Sequence, residues 1–140
     1  MPLEALWWSD DMDVFTAARD TSRWNWTAMI MVPDWISSDH VAGAQAAVAK
    51  KGGASPLRDL RPDLRVEMFG EGLAVQTLHI GSYSNEGPVL DVMHHEFIPA
   101  QSLRMTGRHH EIYLSDARRT APDKLRTILR QPVALKSLSE

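Results

Sequence analysis

The chain has 140 residues, 44% hydrophobic and 24% charged, with 15 basic against 18 acidic side chains and a net charge of −3, values that fit one soluble globular domain and exclude a disordered acidic tail. A pI near 6.0 leaves no concentrated basic face for nucleic acid. Without cysteine there is no disulfide framework or thiolate metal site, the beginning Met1-Pro2-Leu3-Glu4 is not a signal peptide, and no apolar run approaches membrane-spanning length, so cytoplasm is the expected location.

Leu3 to Trp8 reads as a strand, and Ser9-Asp10-Asp11 breaks it and can cap a short helix through Phe15. The next strand has Trp24, Trp26, Ala28, Ile30 and Val32 on one face and Asn25, Thr27, Met29 and Met31 on the other, until Pro33 stops the ladder. Ser37 or Ser38 offers an N-cap, and Val41, Ala44, Ala47 and Val48 recur at helical spacing before Lys50-Lys51-Gly52-Gly53 ends the helix. Residues 54–63 read as a polar linker.

In the second half, Arg65 to Phe69 and Leu73 to Ile80 read as a hairpin joined through Gly70-Glu71-Gly72, whose glycines permit positive φ. Gly87-Pro88 opens a helix with Val89, Val92, Met93 and Phe97 as its apolar stripe, bounded by Pro99. A strand follows from His109 to Leu114, then a turn at Thr120-Ala121-Pro122-Asp123, a last strand near Thr127 to Gln131, and a fraying tail from Ala134.

The chemistry concentrates in Arg108-His109-His110-Glu111-Ile112-Tyr113-Leu114-Ser115-Asp116. Strand alternation points Glu111 and Tyr113 one way and Ile112 the other. A carboxylate on the covered face of a sheet needs a counter-charge, hydrogen bonds or a ligand; from the residues alone Glu111 is equally an exposed strand residue or a partner of Arg108 or Arg118. Tyr113 is either a pocket wall with a hydroxyl donor or a core tyrosine. Five tryptophans exceed the usual demand of packing. Trp7 and Trp8 must face opposite ways, so only one of them lines a given cleft. Glu4 alternates with Leu6 and Trp8 and is either a second acidic pocket group or a solvated residue. Adjacent pairs His94-His95 and His109-His110 diverge rather than converge, which argues against a metal site. Lys51-Gly52-Gly53 lacks the rest of a phosphate loop, Ser115 has no evident base, and Asp116 is placed to pair with an arginine in its turn.

Three blocks carry a resemblance: Met1 to Trp8; Leu78-His79-Ile80-Gly81-Ser82-Tyr83 with Glu86-Gly87-Pro88; and His109 to Thr120 continuing through Ala121-Pro122-Asp123-Lys124-Leu125 to Arg130-Gln131-Pro132-Val133. They resemble the GyrI-like family of small-molecule-binding proteins. The resemblance implies an α+β fold, a duplicated β-α-β-β unit with an antiparallel sheet, helices on one side and the ligand between the halves. Residues 1–33 then match the end of the first repeat, 34–64 a connecting helix and linker, 65–133 the second repeat and 134–140 a tail. The strand and helix that family members carry before the segment matching Leu3 to Trp8 are absent, and a second copy forming a homodimer is one source of a replacement.

The resemblance further implies that Glu111 sits at the cleft floor, that Trp7, Trp8 and Trp26 build an aromatic cage, and that Tyr83 touches the ligand or fixes the strand-to-helix junction. Two functions follow, with no cofactor or metal in either. One is the binding of hydrophobic or cationic aromatic molecules, for drug sequestration or sensing. The other is hydrolysis of the cyclopropane ring of DNA-alkylating cyclopropanoid compounds, with Glu111 handling water and Tyr113 stabilising charge. The fold also serves as the effector module of some regulators, and some members inhibit DNA gyrase, but no DNA-binding helices accompany it here and no residue points to gyrase.

Overall fold

The structure, a computed structural model, describes residues 1–11, 21–50 and 64–137. The chain divides into two compact units, Met1–Met31 with Glu71–Glu140, and Val32–Gly70. The larger unit is an antiparallel sheet of β1 (Leu3–Trp8), β2 (Asn25–Met29), β3 (Ala74–Ile80), β4 (Leu103–Met105), β5 (His109–Tyr113) and β6 (Arg126–Leu135). Strands run in the order β2-β1-β5-β6-β3, and β4 pairs with the far end of β6. The fold is α+β, and the sheet carries an internal duplication: β1 with β2 and β5 with β6 lie back to back across the β1–β5 seam, where Ala5 stands opposite Glu111. In the second half, β3 and the helix that follows it complete a β-α-β-β unit; the described residues contain no counterpart in the first half.

That helix spans 87–100 in three pieces, α2 (Gly87–Asp91), a π-helical stretch (Val92–Phe97) and α3 (Ile98–Ala100). Pro88 starts it, where a missing N–H costs nothing. Pro99 does not bound it as the sequence suggests. The widened π turn, marked by Ile98 N–H donating to the carbonyl of Met93, makes room for a proline ring that would otherwise meet the carbonyl four residues back. Leu90, Met93 and Ile98 from this helix pack on Leu129 and Val133 of β6, with Trp7, Trp24 and Val75 against the same cluster. This is the covered face of the sheet.

Three further expectations change. Arg65 to Phe69 forms no strand: β3 takes β6 as its partner, and Met68 is 97% exposed, so the segment has no buried face to hold it in register. The last strand runs on to Leu135 and does not fray at Ala134, because Val133 to Leu135 pair with β4. Pro132 sits inside it without penalty, since Val133 N–H points to Leu73 on the β3 side and the absent Pro132 N–H faces the gap between β5 and β4. The helix expected through Phe15 and the glycine end of the first helix lie outside the described residues.

The smaller unit holds α1 (Ser38–Lys50). At its start the His40 side chain reaches back: Ser37 N–H donates to His40 Nδ1 at 3.2 Å, and the Ser37 hydroxyl lies 2.9 Å from the same nitrogen. No α1 residue is buried.

Candidate functional site

Residues opposite one another in an antiparallel ladder share a face. Trp7 is opposite both Trp26 and His109, and Glu111 is opposite Leu129 of the core, so Trp7, Trp26, His109, Glu111 and Tyr113 all point to the helix side. There the Tyr113 hydroxyl donates to Glu111 Oε2 at 2.7 Å, and the Trp7 indole N–H donates to the Tyr113 oxygen at 3.1 Å. Tyr83 meets Tyr113 edge to face, with ring centroids 5.6 Å apart, and Trp24 meets Trp7 in the same manner at 5.6 Å. Glu111 is 7% exposed, and among the described residues no lysine or arginine lies within ion-pair distance of it; His109 Nε2 is its nearest basic atom, 3.5 Å from Oε1.

Tyr83 reaches this position through Gly81. Its φ of +143° suits glycine, and a Cβ there would come within 3.2 Å of His79 Nε2. The His79 ring is fixed in turn, with Nε2 3.1 Å from the Ser82 carbonyl. The chain thus turns sharply off β3, and Tyr83 begins the next short helical turn (Tyr83–Asn85).

Burial and nearby carboxylates set the electrostatics of the two tyrosines. Burial pushes the Tyr113 phenol well above its ordinary value, helped by the charge of Glu111 and the bond to it and opposed by the Trp7 donor. Tyr83 is also raised, by burial first and then by Glu86, Glu111 and Asp116. Both phenols therefore stay protonated donors near neutrality. Glu86, 2% exposed at the start of the 87–100 helix, is a second carboxylate acting on both tyrosines.

The structure does not bring all the expected site residues together. Glu111, Tyr113, Trp7 and Tyr83 form one contact group. Trp26 shares their face but is 58% exposed. Glu4 and Trp8 lie on the opposite face, since each is one residue out of phase with Trp7. There Trp8 has the Arg108 guanidinium 3.8 Å over its ring, and Glu4 joins a buried network: His110 Nε2 is 2.9 Å from Glu4 Oε2, His110 Nδ1 is 2.9 Å from Glu71 Oε2, and Arg130 reaches that same oxygen at 2.9 Å. Glu4 is thus neither solvated nor beside Glu111.

Sequence reasoning missed Trp24, Glu86, His94 and His109. The signal for His109 was present, since it precedes Glu111 by two positions and must share its face, and Trp24 alternates with Trp26 in the same way; Glu86 and His94 come from turn and helix positions with no such period. Asp116 is bonded to Arg118 through Nε at 3.0 Å and Nη2 at 2.9 Å, which holds its carboxyl below the ordinary range. Ser115 accepts the Arg126 N–H at 3.1 Å, and both are turn fixtures. No group of three or more His, Cys, Asp or Glu among the described residues is arranged to hold a metal.

A separate pocket of about 460 Å³ lies between β3 and the 87–100 helix, lined by Val75, Thr77, Val89, Val92, Met93 and Phe97 among others. It has no carboxylate, tyrosine or tryptophan in its wall, and the Glu111 group is outside it.

A family model described as a GyrI-like small molecule binding domain matches residues 2–134. Among solved structures, an uncharacterized conserved protein from Listeria innocua is 35% identical with a TM-score of 0.79, over 95% of this chain and 63% of that one. A hydrolase from Listeria innocua is 36% identical with a TM-score of 0.72, over 95% of this chain and 62% of that one. The chain spans less than two thirds of the length of these relatives. No curated protein matches it.

Proposed function

Since the chain belongs to the GyrI-like small-molecule-binding domain family, we propose that it binds flat, aromatic, cationic molecules on the helix-side face of the β1–β5 seam, with Glu111 as the anionic anchor. The observation that carries this reading is the bonding of Glu111. It is buried, accepts the Tyr113 hydroxyl, and has no lysine or arginine counter-charge among the described residues, so a ligand cation would supply what the fold does not. Trp7, Tyr113 and Tyr83 offer aromatic surface beside it, and exposed Trp26 an outer wall. Each cation–π contact contributes roughly 0.5 to 2 kcal/mol. In the cytoplasm such binding serves drug sequestration or sensing. A second copy pairing along the outer edge of β2 would cover Trp26 and Ile30, which are 58% and 60% exposed; sedimentation that finds only monomer removes that part of the reading.

The second reading is hydrolysis of an activated cyclopropane, favoured by the 36%-identical hydrolase and by the Tyr113-Glu111 pair. Water attacks the ring carbon as Glu111 accepts its proton; the C–O bond forms, the strained C–C bond breaks, and its electron pair moves into a conjugated acceptor on the substrate. Tyr113 positions Glu111, and Trp7 positions Tyr113. Titrating a flat cationic dye against tryptophan fluorescence tests binding: saturable quenching, weakened at least tenfold in Glu111→Gln, is expected, and equal affinity in the two proteins removes Glu111 from the site. Steady release of ring-opened product separates the enzyme from the binder; one stoichiometric equivalent and no more leaves only binding.

A further inference from the structure

Two histidines the binding site does not use lie in line behind Glu111. His109 is 0% exposed, with Nε2 3.5 Å from Glu111 Oε1, on the carboxylate oxygen that Tyr113 does not take. The ring of His94, itself 3% exposed, stands against His109 with centroids 6.1 Å apart and planes 79° apart. Next comes His95, whose ring lies 6.4 Å from that of His94 and whose Nδ1 is 2.8 Å from Asp91 Oδ1 at the surface. Burying two imidazoles in a core is costly when an apolar pair would fill the volume. At consecutive positions of this stretch the helix places His94 inside and His95 at the surface.

We propose that His109, His94 and His95 form a proton-exchange line between Glu111 and solvent, entering the site from behind the sheet-facing side of the helix. The inference rests on Glu111 being the ligand-facing carboxylate of the proposed function. A ligand stacked on Trp7 and Tyr113 blocks the direct route from water to Glu111, and a carboxylate that takes up a proton from bound water or from a ligand must still exchange it. Imidazole is suited to this, since one nitrogen accepts as the other donates. A proton accepted at Glu111 Oε1 passes to His109 Nε2, the Nδ1 proton of His109 leaves toward His94, and His94 hands a proton on to His95, each imidazole-to-imidazole link closing through one water. His95 discharges to solvent beside Asp91. The charged and titratable groups around this line are Glu111 and Tyr113 on β5, Glu86 and Tyr83 ahead of the helix, Asp91 on the helix, and His79 on β3. Thr127 and Gln131 of β6 add only uncharged polar groups.

The test is solvent exchange of the His109 ring N–H, followed by nitrogen-15 NMR in the wild type, His94→Gln and His95→Gln, each free and saturated with the flat cationic dye. His95 is exposed, so its replacement leaves the core intact even where the buried substitution disturbs folding. The expected result is exchange slowed at least tenfold in His95→Gln with dye bound, and restored by added free imidazole. Exchange in dye-saturated His95→Gln equal to wild type overturns the line. Failure of the dye to quench tryptophan fluorescence instead defeats the binding reading, and the comparison in dye-free protein then decides the line alone: slowing in both variants supports it, and wild-type exchange rejects it.

Discussion

One strand carries two histidine–glutamate clusters back to back, and they solve the burial of a carboxylate in opposite ways. On the face away from the 87–100 helix, Glu4 and Glu71 flank His110, and Arg130 completes the set. Each carboxylate there meets a basic group of the protein. On the helix side, Glu111 meets a hydroxyl at 2.7 Å and a histidine at 3.5 Å. The same residue types, one position apart in β5, give a closed network on one face and a carboxylate with capacity to spare on the other. A buried carboxylate closed in by several partners of the fold is architecture; one with a single hydroxyl donor and a histidine 3.5 Å away keeps acceptor capacity for a ligand.

The two faces should therefore separate cleanly under mutation. Under the hydrolytic reading, Glu111→Gln is expected to lower turnover of an activated cyclopropane by about 100- to 10,000-fold, and under the binding reading to weaken the dye at least tenfold, while urea unfolding midpoints stay near wild type. If stability falls and ligand handling does not, the roles of the faces are reversed. On the other face, Glu71→Ala leaves His110 and Arg130 short of a buried partner and is expected to cost about 3 kcal/mol of stability, read as a lower urea midpoint at unchanged slope, with dye affinity within twofold of wild type.

Tyr113→Phe sharpens the contrast within the helix-side face. Losing one internal hydrogen bond to a charged group costs roughly 1.5 to 3 kcal/mol of folding stability, so the urea midpoint should fall while tryptophan quenching by the dye remains saturable. The phenols also give a pH signature. The chain has two tyrosines, and both are raised in the fold, so the folded state holds more protons than the unfolded one above the ordinary tyrosine range. Their contribution to stability is full below about pH 10 and declines as pH rises beyond it. Absorbance near 295 nm at pH 10 should show well under half of the tyrosine ionised, and denaturation should restore the ordinary titration. The smallest effect is expected for Trp26→Ala: within about 0.5 kcal/mol in stability for an exposed side chain, with dye affinity reduced a few-fold. No change in affinity would take Trp26 out of the ligand wall.

Much of this contrast is legible in the sequence, because period-two alternation assigns residues to faces without knowing the partners. Glu111 and Tyr113 share a face for that reason, and Trp7 and Trp8 do not. What alternation cannot give is which face the helix covers, and so Glu4 and Trp8 fell in with a group that lies across the sheet from them. β4 has only three residues, too few for a period. Pro132 hides the length of β6 because its tolerance depends on two partner strands meeting beside it. Arg65 to Phe69 alternates well enough to suggest a strand, yet has no neighbour to pair with. His109 was set aside with His110 as a divergent pair, and that divergence is what places one histidine in each cluster.

The π turn has a consequence for how this protein tolerates insertions and deletions. An α-helix advances about 100° per residue, and a π stretch absorbs one extra residue without breaking the rod. Removing one residue within Val92–Phe97 would return the helix to ordinary winding and bring the Pro99 ring against the carbonyl four residues back, at a cost of about 3 kcal/mol. The surface presented before that point would turn too, carrying His94 away from His109. Such a shortened chain would lose stability together with the His94–His109 ring contact, so the extra residue of the π stretch is part of what lets this helix carry a proline near its end.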